Sequence, residues 1–418
     1  MAGERPGLDP GVPEAPGRWS QLAVVGVGVL LAFAPWFSAA AVGPLLQREW
    51  QTTALDLPLL TVAVQVGFAV AAIGLALSGA ADAITGPRLF VVGSVLAAAG
   101  NLGFALLADS PGGALLWRAV TGAGLAAVYP VAVRMLSGWF LRERGVAIGV
   151  LIGALTIGSA LPHLIRAVGA TSGLDWRATV AAASVLAVGG GLLVGIGGRT
   201  GPHEVLTGRL DPAAAARAFR EPSVRLATLG YLGHMWELYA MWTWIPAFLA
   251  ASLAAAGTSD PATSALAAFV VVASGGIACV VAGVLADRLG RTTLTIAAMA
   301  GSGASAVAIG LLFGAAPVLV IALGIVWGMT VVADSAQFSA AVSELAPAGT
   351  AGSALSIQLA AGFLLTGVTI LGLGLAAPTA TTWRFAFWVL ALGPLVGIVA
   401  MWRLRRRPDA VRMANGHR

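Results

Sequence analysis

Five ionisable residues lie inside long apolar runs of this chain: Arg118, His163, His234, Glu237 and Asp334. A charge inside hydrocarbon is costly, so each of these residues is a functional candidate. A carboxylate in a low-dielectric cavity takes up a proton more readily than in water, and a nearby cation opposes this effect. We therefore predict that Glu237 or Asp334 exchanges a proton as a solute binds, with Arg118 or His234 as the opposing charge.

His234 and Glu237 lie three residues apart, so they share one face of a helix. This spacing leaves a second interpretation open, in which the two side chains form a structural pair that never titrates. His163 follows Pro162 and is expected near an outer mouth rather than in a central site. The sequence favours chemistry on the helix that carries His234 but does not decide between the two interpretations.

Several polar or amphipathic residues at the middle of apolar runs are candidates to line a solute cavity. Tyr239 and Trp242 make the run after Glu237 unusually aromatic, and Pro246 permits a bend there. The other candidates are Trp36, Gln65, Tyr129, Gln337 and Gln358. For each of them the alternative is a position facing lipid or a neighbouring helix.

The composition is typical of a membrane protein. The chain has 418 residues, of which 58% are hydrophobic and 10% charged, whereas soluble domains carry about 25% charged residues. The apolar residues form runs of about 20 or more, the length of a transmembrane helix. The alternating pattern of an outer-membrane barrel strand is not seen. The sequence therefore predicts an all-α integral membrane protein.

About twelve transmembrane helices are predicted, in two groups of six. The first six run near residues 20–46, 57–80, 88–108, 113–137, 145–168 and 176–198. The second six run near residues 224–251, 263–286, 293–313, 317–341, 351–376 and 383–402. The predicted organisation is a disordered cytoplasmic tail at 1–18, a six-helix half at 19–198, a cytoplasmic linker at 199–223, a second half at 224–402 and a basic cytoplasmic tail at 403–418. Asp211 resembles the N-cap of a short helix in the linker.

The arginines are distributed unequally between the two sides. If both termini are cytoplasmic, the outside holds only Arg48, Arg166, Arg177 and Arg384. The positive-inside rule then predicts a multi-pass protein of the cytoplasmic membrane with both termini inside. This topology accounts for the net charge of +6, and no nucleic-acid module is recognised. The single cysteine, Cys279, excludes an intrachain disulfide.

A polar turn is repeated at the same point of the two apolar halves. The stretch Gly283–Arg291 reads GVLADRLGR, and a looser copy at Gly79–Arg88 reads GAADAITGPR. The sixth predicted span opens with DWR at 175–177, and the twelfth opens with TWR at 382–384. Two matched features at nearly one offset indicate a duplicated six-helix unit.

These motifs resemble those of the major facilitator superfamily. The stretch Gly283–Arg291 is similar to its loop motif G-x-L-A-D-R-x-G-R. Arg118–Gly124 is similar to its fourth-helix motif R-x-x-x-G-x-G, which is associated with proton coupling, and Gly138–Gly145 is similar to the loop after that helix. The resemblance covers the whole pattern of spans. It implies two pseudo-symmetric six-helix halves around a central site that opens alternately to each side.

The resemblance also implies a cytoplasmic gate. Asp82 is expected to face the start of the eleventh helix, near Gly349 and Gly352. Asp287 is expected to face the start of the fifth helix, near Gly145, and to pair with Arg142 or Arg144. These contacts would latch the state that is closed to the cytoplasm, unless the residues only set the topology. The gate residues are Gly79, Asp82, Arg88, Arg142, Arg144, Gly283, Asp287, Arg288 and Arg291.

The sequence favours a secondary active transporter, not an enzyme, that moves a small polar or anionic solute similar to an organic acid by proton symport. The main alternative is an exporter of a metabolite or toxic compound by proton antiport, although the fifth helix lacks the G-P-x-x-G-G motif of drug antiporters. Nitrate is disfavoured because the second and eighth helices lack core arginines.

Functions of other classes have less support. His234 and Glu237 resemble half of a metal site, but no second ligand cluster follows, and no nucleophile motif surrounds Ser159 near His163. A receptor that does not transport would remain possible, but no signalling domain is attached. We expect no metal and no cofactor. The expected partners of a functional monomer are the solute, protons and the lipid bilayer.

Overall fold

The structure, a computed structural model, describes residues 14–141, 143–204, 208–376 and 378–417. These residues are helical almost throughout and include no β-strand. The helices before the long polar segment are α1 (Arg18–Ala32), α2 (Ser38–Ala41), α3 (Gly43–Trp50), α4 (Asp56–Ser78), α5 (Ala80–Ala83), α6 (Gly86–Leu107), α7 (Pro111–Ala126), α8 (Tyr129–Ser137), α9 (Arg144–Thr171) and α10 (Trp176–Gly197).

The remaining helices follow the same plan after one short helix, α11 (Pro212–Arg220). They are α12 (Pro222–Ala255), α13 (Pro261–Leu289), α14 (Arg291–Leu311), α15 (Pro317–Ala333), α16 (Ser335–Leu345), α17 (Ala351–Ala376), α18 (Trp383–Ala386) and α19 (Leu392–Arg405). The linker, here the segment between α10 and α12, defines one side of the molecule, which we call the linker side. The side chain of Asp211 accepts a hydrogen bond from Ala213 N, so α11 begins at its predicted cap.

Eleven described segments are long and apolar enough to cross a membrane. A twelfth apolar segment, residues 18–50, is divided into α1, α2 and α3. The first break falls at residues 33–37, around Pro35, which lacks the N–H that a continuous helix would use. About twelve spans were predicted, and the fold agrees with that prediction.

In each half the fourth spanning segment is also broken near its middle. The break between α7 and α8 falls just before Tyr129, and the break between α15 and α16 falls at Asp334. Broken helices occur at membrane depth only where the freed backbone groups line a cavity or are buried in protein. Pro246, in contrast, does not interrupt α12, because a single proline removes only one helical hydrogen bond. The bend expected at Pro246 therefore does not break that helix.

The two halves meet closely along α9 and α13, where glycines replace larger residues. A Cβ atom on Gly153 would lie 2.5 Å from the carbonyl oxygen of Gly276, and one on Gly149 would lie 2.9 Å from that of Cys279. Small residues let two helix backbones approach in this way. The same close contact continues to Gly283 and Gly145 at the linker side. This interface is therefore tightly packed from its middle to the linker side.

The second contact between the halves, along α4 and α17, is closed only on the side away from the linker. There the rings of Phe68 and Phe363 lie 4.6 Å apart, and Thr366 Oγ1 donates a hydrogen bond to Gln65 Oε1 at 2.7 Å. Toward the linker side, α4 and α17 line a cavity instead. The halves are thus joined at α9 and α13 and separated between α4 and α17.

Candidate functional site

A cavity of about 590 Å³ lies between the halves on the linker side. It extends from the helix ends at Gly79 and Gly352 inward to Tyr129 and Ser335. Its volume falls within the range of about 300–1,000 Å³ that is usual for small-molecule sites. The two residues at its inner end directly follow the breaks of the fourth and tenth spanning segments. The broken helices therefore place side chains at the centre of the molecule.

A smaller pocket of about 70 Å³ lies at the inner end of this cavity, and we call it the central pocket. The two spaces share Tyr129, Tyr231 and Ser335 among their lining residues. Both halves contribute to the central pocket. The predicted site residues that line it are Trp36, Tyr129, His234, Tyr239 and Trp242.

The predicted glutamines do not line the central pocket. Gln337 and Gln358 line the larger cavity, and Gln337 Oε1 accepts a hydrogen bond from Arg291 Nη1 at 2.7 Å. Gln65 is fully buried at the contact between α4 and α17, where it accepts from Thr366. The structure thus separates the aromatic candidates from the amide candidates.

His234 and Asp334 form a buried pair beside the central pocket. His234 Nδ1 lies 2.9 Å from Asp334 Oδ1, and its Nε2 lies 2.9 Å from Ser335 Oγ. His234 lines the pocket, whereas Asp334 lies behind it at the break between α15 and α16. The side chains are only 3% and 1% exposed. This pair is one of the two-charge combinations that the sequence allowed.

Glu237 does not pair with His234, so that interpretation of their spacing is wrong. Glu237 Oε1 accepts from Trp327 Nε1, and its Oε2 accepts from Ser302 Oγ, both at 2.7 Å. These partners belong to α15 and α14, so the two side chains of α12 diverge to different neighbours. Among the described residues no basic side chain forms an ion pair with Glu237, and Glu237 lines neither cavity.

Arg118 lies in the first half and does not meet Glu237 or Asp334 among the described contacts. Its guanidinium group donates to the carbonyl oxygens of Pro35, Trp36 and Leu60, as well as to Ser38 Oγ and Asn101 Oδ1. The break after α1 leaves such carbonyls without helical partners. Arg118 therefore caps that break and holds the segment that carries Trp36, which corrects its expected role as an opposing charge.

His163 follows Pro162 inside α9 and is 2% exposed. It lines neither the central pocket nor the larger cavity. Its expected position at an outer mouth therefore stays a prediction.

One of the two expected gate contacts is present. A Cβ atom on Gly145 would lie 3.1 Å from Asp287 Oδ2, so Asp287 faces the start of α9 as expected. Arg291 forms a bidentate pair with Glu344, with N–O distances of 2.9 and 2.7 Å, and lies 3.8 Å from Asp287. Arg142 and the side chain of Arg144 lie outside the described part of the chain.

The other expected gate contact, between Asp82 and the start of α17, belongs to a state that is closed on the linker side and stays a prediction. Asp82 accepts hydrogen bonds from Arg134 Nη1 at 3.2 Å and from Gly208 N at 2.7 Å, and it lines the same cavity as Gly352. The cavity between α4 and α17 keeps Asp82 away from the start of α17. The two gate motifs therefore differ in this structure, although their sequences are related.

The remaining gate residues have simpler surroundings. Gly79 and Gly290 end α4 and α13 with φ angles of 68° and 90°, which favour glycine. Gly283 packs against the backbone of Gly145, and Arg88 and Arg288 are exposed.

A short part of the linker bridges the gap between α4 and α17. We call residues 208–211 the strap. Leu210 N donates to Ala76 O at 2.9 Å, and Asp211 N donates to Ser353 Oγ at 3.0 Å. Together with the bond from Gly208 to Asp82, these contacts join the linker-side ends of both helices.

Several residues of this site were not identified from the sequence. Ser335, Ser302 and Trp327 are ordinary residues of apolar helices, and only the proximity of Ser335 to Asp334 marked it. Arg134 and Glu344 stand near span ends, where a charge usually has no role beyond topology. Among the described residues, no group of three His, Cys, Asp or Glu side chains is placed to hold a metal ion.

Comparison with known proteins agrees with this architecture. The family model described as Major Facilitator Superfamily matches residues 25–369 and 260–417. No curated protein sequence matches the chain.

Two solved structures share the fold. The proton:xylose symporter XylE bound to 6-bromo-6-deoxy-D-glucose is 14% identical, with a TM-score of 0.70, over 92% of this chain and 96% of that one. A partially occluded inward-open form of the xylose transporter XylE from E. coli is 15% identical, with a TM-score of 0.72, over 93% and 98%. The family match extends over most of the sequence, and the chain therefore belongs to the Major Facilitator Superfamily.

Proposed function

We propose that this protein is a secondary active transporter that carries a small anionic solute together with a proton across the cytoplasmic membrane. The observation that carries this proposal is the pair of His234 and Asp334. It is buried at a helix break, and its imidazole lines the pocket at the inner end of a cavity open between the halves. The pair can bind a proton, and its imidazole can contact the solute.

The charge of the pair links proton binding to anion binding. With a neutral imidazole and an ionised Asp334, the pair carries one negative charge, which repels an anion in the pocket. One added proton makes the pair neutral overall and turns a cationic imidazole toward the solute. An anion therefore binds the protonated pair more tightly, and by reciprocity the bound anion holds the proton. Proton and anion then cross together.

Glu237 has a different part in this proposal. Its oxygens accept from Trp327 and Ser302, and the Ser302 hydroxyl also lies 3.3 Å from Met299 O. If Glu237 takes up a proton, the Ser302 hydroxyl can turn to Met299 and accept from the carboxyl group instead. The site is satisfied in both protonation states, and it lies apart from both cavities. We therefore assign coupling to Asp334 and not to Glu237.

The open side of the cavity fits the cytoplasm. The linker side carries the arginines of the linker and of the C-terminal tail, as the positive-inside rule requires. The structure then corresponds to an inward-facing state, in which α9 and α13 act as the pivot and α4 and α17 as the opening. Both termini lie in the cytoplasm, and one chain is the functional unit.

Proton movement in proteoliposomes tests this function. Vesicles with a trapped pH dye receive pyruvate, lactate, succinate, xylose or choline outside, and protein-free vesicles correct for passive entry of weak acids. Internal acidification with one of the organic anions, absent with Asp334→Asn and present with Glu237→Gln, is the expected result. Solute-driven alkalinisation would show the antiport exporter instead. Solute exchange without any proton movement would contradict the coupling.

A further inference from the structure

Two indole N–H groups at the central pocket have no acceptor. Trp36 and Trp242 are each 1% exposed and line the pocket, yet neither Nε1 atom has a hydrogen-bond partner among the described residues. Buried donors are normally paired, because an unpaired one loses its hydration without replacement. The indole N–H groups that do reach an acceptor belong to Trp139, Trp176, Trp236, Trp244, Trp327 and Trp388. The N–H groups of Trp36 and Trp242 are therefore donors available to a bound ligand.

The other polar groups of the pocket are also donors or can act as donors. Three tyrosines and His234 line it, and so do Thr156, Ser335 and Ser339, whose hydroxyl groups can both donate and accept. In the described part of the chain, no carboxylate and no amide side chain lines this pocket, since Asp334 lies behind His234 and the glutamines lie elsewhere. A ligand that fits such a site offers acceptors to the two indole N–H groups, which can only donate.

The walls of the pocket limit the rest of the ligand. They are mostly aromatic and aliphatic, with Phe33, Phe68, Leu155, Leu238 and Phe363 among them. A sugar could donate to the hydroxyl oxygens of the pocket, but it offers no charged acceptor to the two indole N–H groups.

An organic cation fits the site less well than an anion. Aromatic faces attract cations, but the charge that this pocket gains on protonation is the positive charge of His234, which repels them. A cation would also leave both indole N–H groups without an acceptor. When the pair is protonated, the pocket therefore favours an anion over a cation.

We infer that the central pocket binds the carboxylate of a small monocarboxylic acid, with the indole N–H groups of Trp36 and Trp242 as donors. This inference rests on the proposed function, because it names the substrate class of the same site. Trp36 belongs to the first half and Trp242 to the second, and Tyr239 packs beside both, with ring centroids 5.7 and 5.4 Å away. One carboxylate held by both indoles joins the two halves, while the compact apolar body of the acid lies against the aromatic walls.

Counterflow without a pH gradient tests this inference independently of proton coupling. Proteoliposomes are loaded with unlabelled pyruvate, lactate, succinate, xylose or choline, and entry of labelled pyruvate is followed. Lactamide, the neutral counterpart of lactate, controls for size and shape. Trp36→Phe and Trp242→Phe keep an aromatic ring but remove the N–H. Trp236→Phe is the matched control on α12, because its N–H already donates to Val389 O.

Pyruvate and lactate are expected to drive exchange, and lactamide is not. Trp36→Phe and Trp242→Phe should each raise the half-saturating concentration about tenfold or more, the usual effect of losing a hydrogen bond to a charged group. Trp236→Phe should change it less than about twofold on the same scale. Unfolding temperatures identify any variant that fails to fold, and the comparison of lactate with lactamide needs no variant.

The failures of the two proposals are distinguishable. Absence of pyruvate exchange, equal exchange with lactamide, or folded Trp36→Phe and Trp242→Phe proteins with unchanged affinity would overturn the carboxylate inference. Xylose-driven proton uptake that depends on Asp334 would overturn the substrate class and the anionic solute of the proposed function, and it would leave only the assignment of the proton site to Asp334. Pyruvate exchange that never moves a proton would support the substrate class and contradict the coupling.

Discussion

His234 Nδ1 lies 2.9 Å from Asp334 Oδ1, and both residues belong to the second half of the molecule. Asp334 stands directly before the first residue of α16, where the dipole of a helix N-terminus favours a negative charge. Because the pair lies within one half, a rigid-body motion of the halves would leave it intact. The indole donors Trp36 and Trp242 lie in different halves and are the groups whose separation changes in such a motion. Proton binding is thus assigned to His234 and Asp334, and closure of the two halves around the solute to Trp36 and Trp242.

Arg118→Lys separates a positioning role from a coupling role. Lysine keeps the charge but lacks the planar fork that reaches Pro35 O, Trp36 O and Ser38 Oγ. Each buried group left unpaired costs about 1–3 kcal/mol. We expect a lower free energy of unfolding and a raised half-saturating concentration for exchange, with an unchanged ratio of protons to solute. Arg48→Lys, at an exposed arginine, is the control. Normal affinity with lost proton movement would instead make Arg118 a coupling residue.

Gly153→Ala should destabilise the protein through the contact between α9 and α13. Its Cβ atom would lie 2.5 Å from Gly276 O, closer than side chains are tolerated, so the helices must separate. Overpacking of this kind costs about 1–3 kcal/mol. Gly74→Ala is the matched substitution, since a Cβ atom there meets nothing within 4 Å. The unfolding temperature in detergent should fall for Gly153→Ala and not for Gly74→Ala. Equal stability of the two variants would refute the tight interface.

The strap should favour the state that is open on the linker side. Leu210→Pro removes the N–H that donates to Ala76 O, whereas Leu210→Ala keeps it. Loss of this hydrogen bond costs about 0.5–1.5 kcal/mol, which changes the population of the open state roughly two- to tenfold. The readout is labelling of Ser356→Cys, which lines the cavity, in a Cys279→Ala background. Labelling should slow with Leu210→Pro and not with Leu210→Ala. Faster labelling would mean that the strap closes the cavity.

The C-terminal tail should be held down by Asp409. Partial burial acts to raise the pKa of Asp409, but hydrogen bonds from Ser223 and the charge of Arg407 lower it overall, below its ordinary value of 3.8. A lowered pKa means that Asp409 stabilises the docked tail above that pH and that this contribution is lost as the pH falls through the lowered value.

Hydrogen exchange of residues 408–417 checks this prediction. Protection around the buried Ala410 and Met413 should be high at pH 6, lost with Asp409→Asn, and reduced in the unmodified protein below pH 3.8. Arg412→Gln, at an exposed residue within the tail, should leave protection unchanged. Protection in Asp409→Asn equal to that of the unmodified protein would show that apolar packing alone holds the tail.

The helices could be predicted from the sequence because the bilayer requires long apolar runs. The run predicted at 351–376 matches α17 at both ends. The run predicted at 317–341 corresponds to α15 and α16 and stops slightly before the end of α16 at Leu345. The breaks were not predictable in the same way. Asp334 and Ala127 interrupt their helices inside apolar runs, and hydropathy does not distinguish a broken span from a continuous one. Two prolines show the same limit, since Pro35 lies at a break and Pro246 does not.

The residues of the site were partly predictable for a related reason. A charge in an apolar run is rare, so His234 and Asp334 were identified before their contact was known. Which charges meet depends on helix rotation and tilt, and neither follows from spacing. For that reason Glu237 turns to Ser302 and Arg118 to backbone carbonyls. The difference between the two gate motifs also depends on the conformational state, because the same residues must serve both the open and the closed state of the linker side.

Accumulation of labelled pyruvate under an imposed pH gradient tests the central claim most directly. Proteoliposomes that are more acidic outside are compared for the unmodified protein and for Asp334→Asn, and counterflow of the same solute is measured on both. We predict that the unmodified protein accumulates the solute until the gradient is collapsed. Asp334→Asn should exchange the solute but not accumulate it. Accumulation by Asp334→Asn equal to that of the unmodified protein would contradict the assignment of proton coupling to the pair of His234 and Asp334.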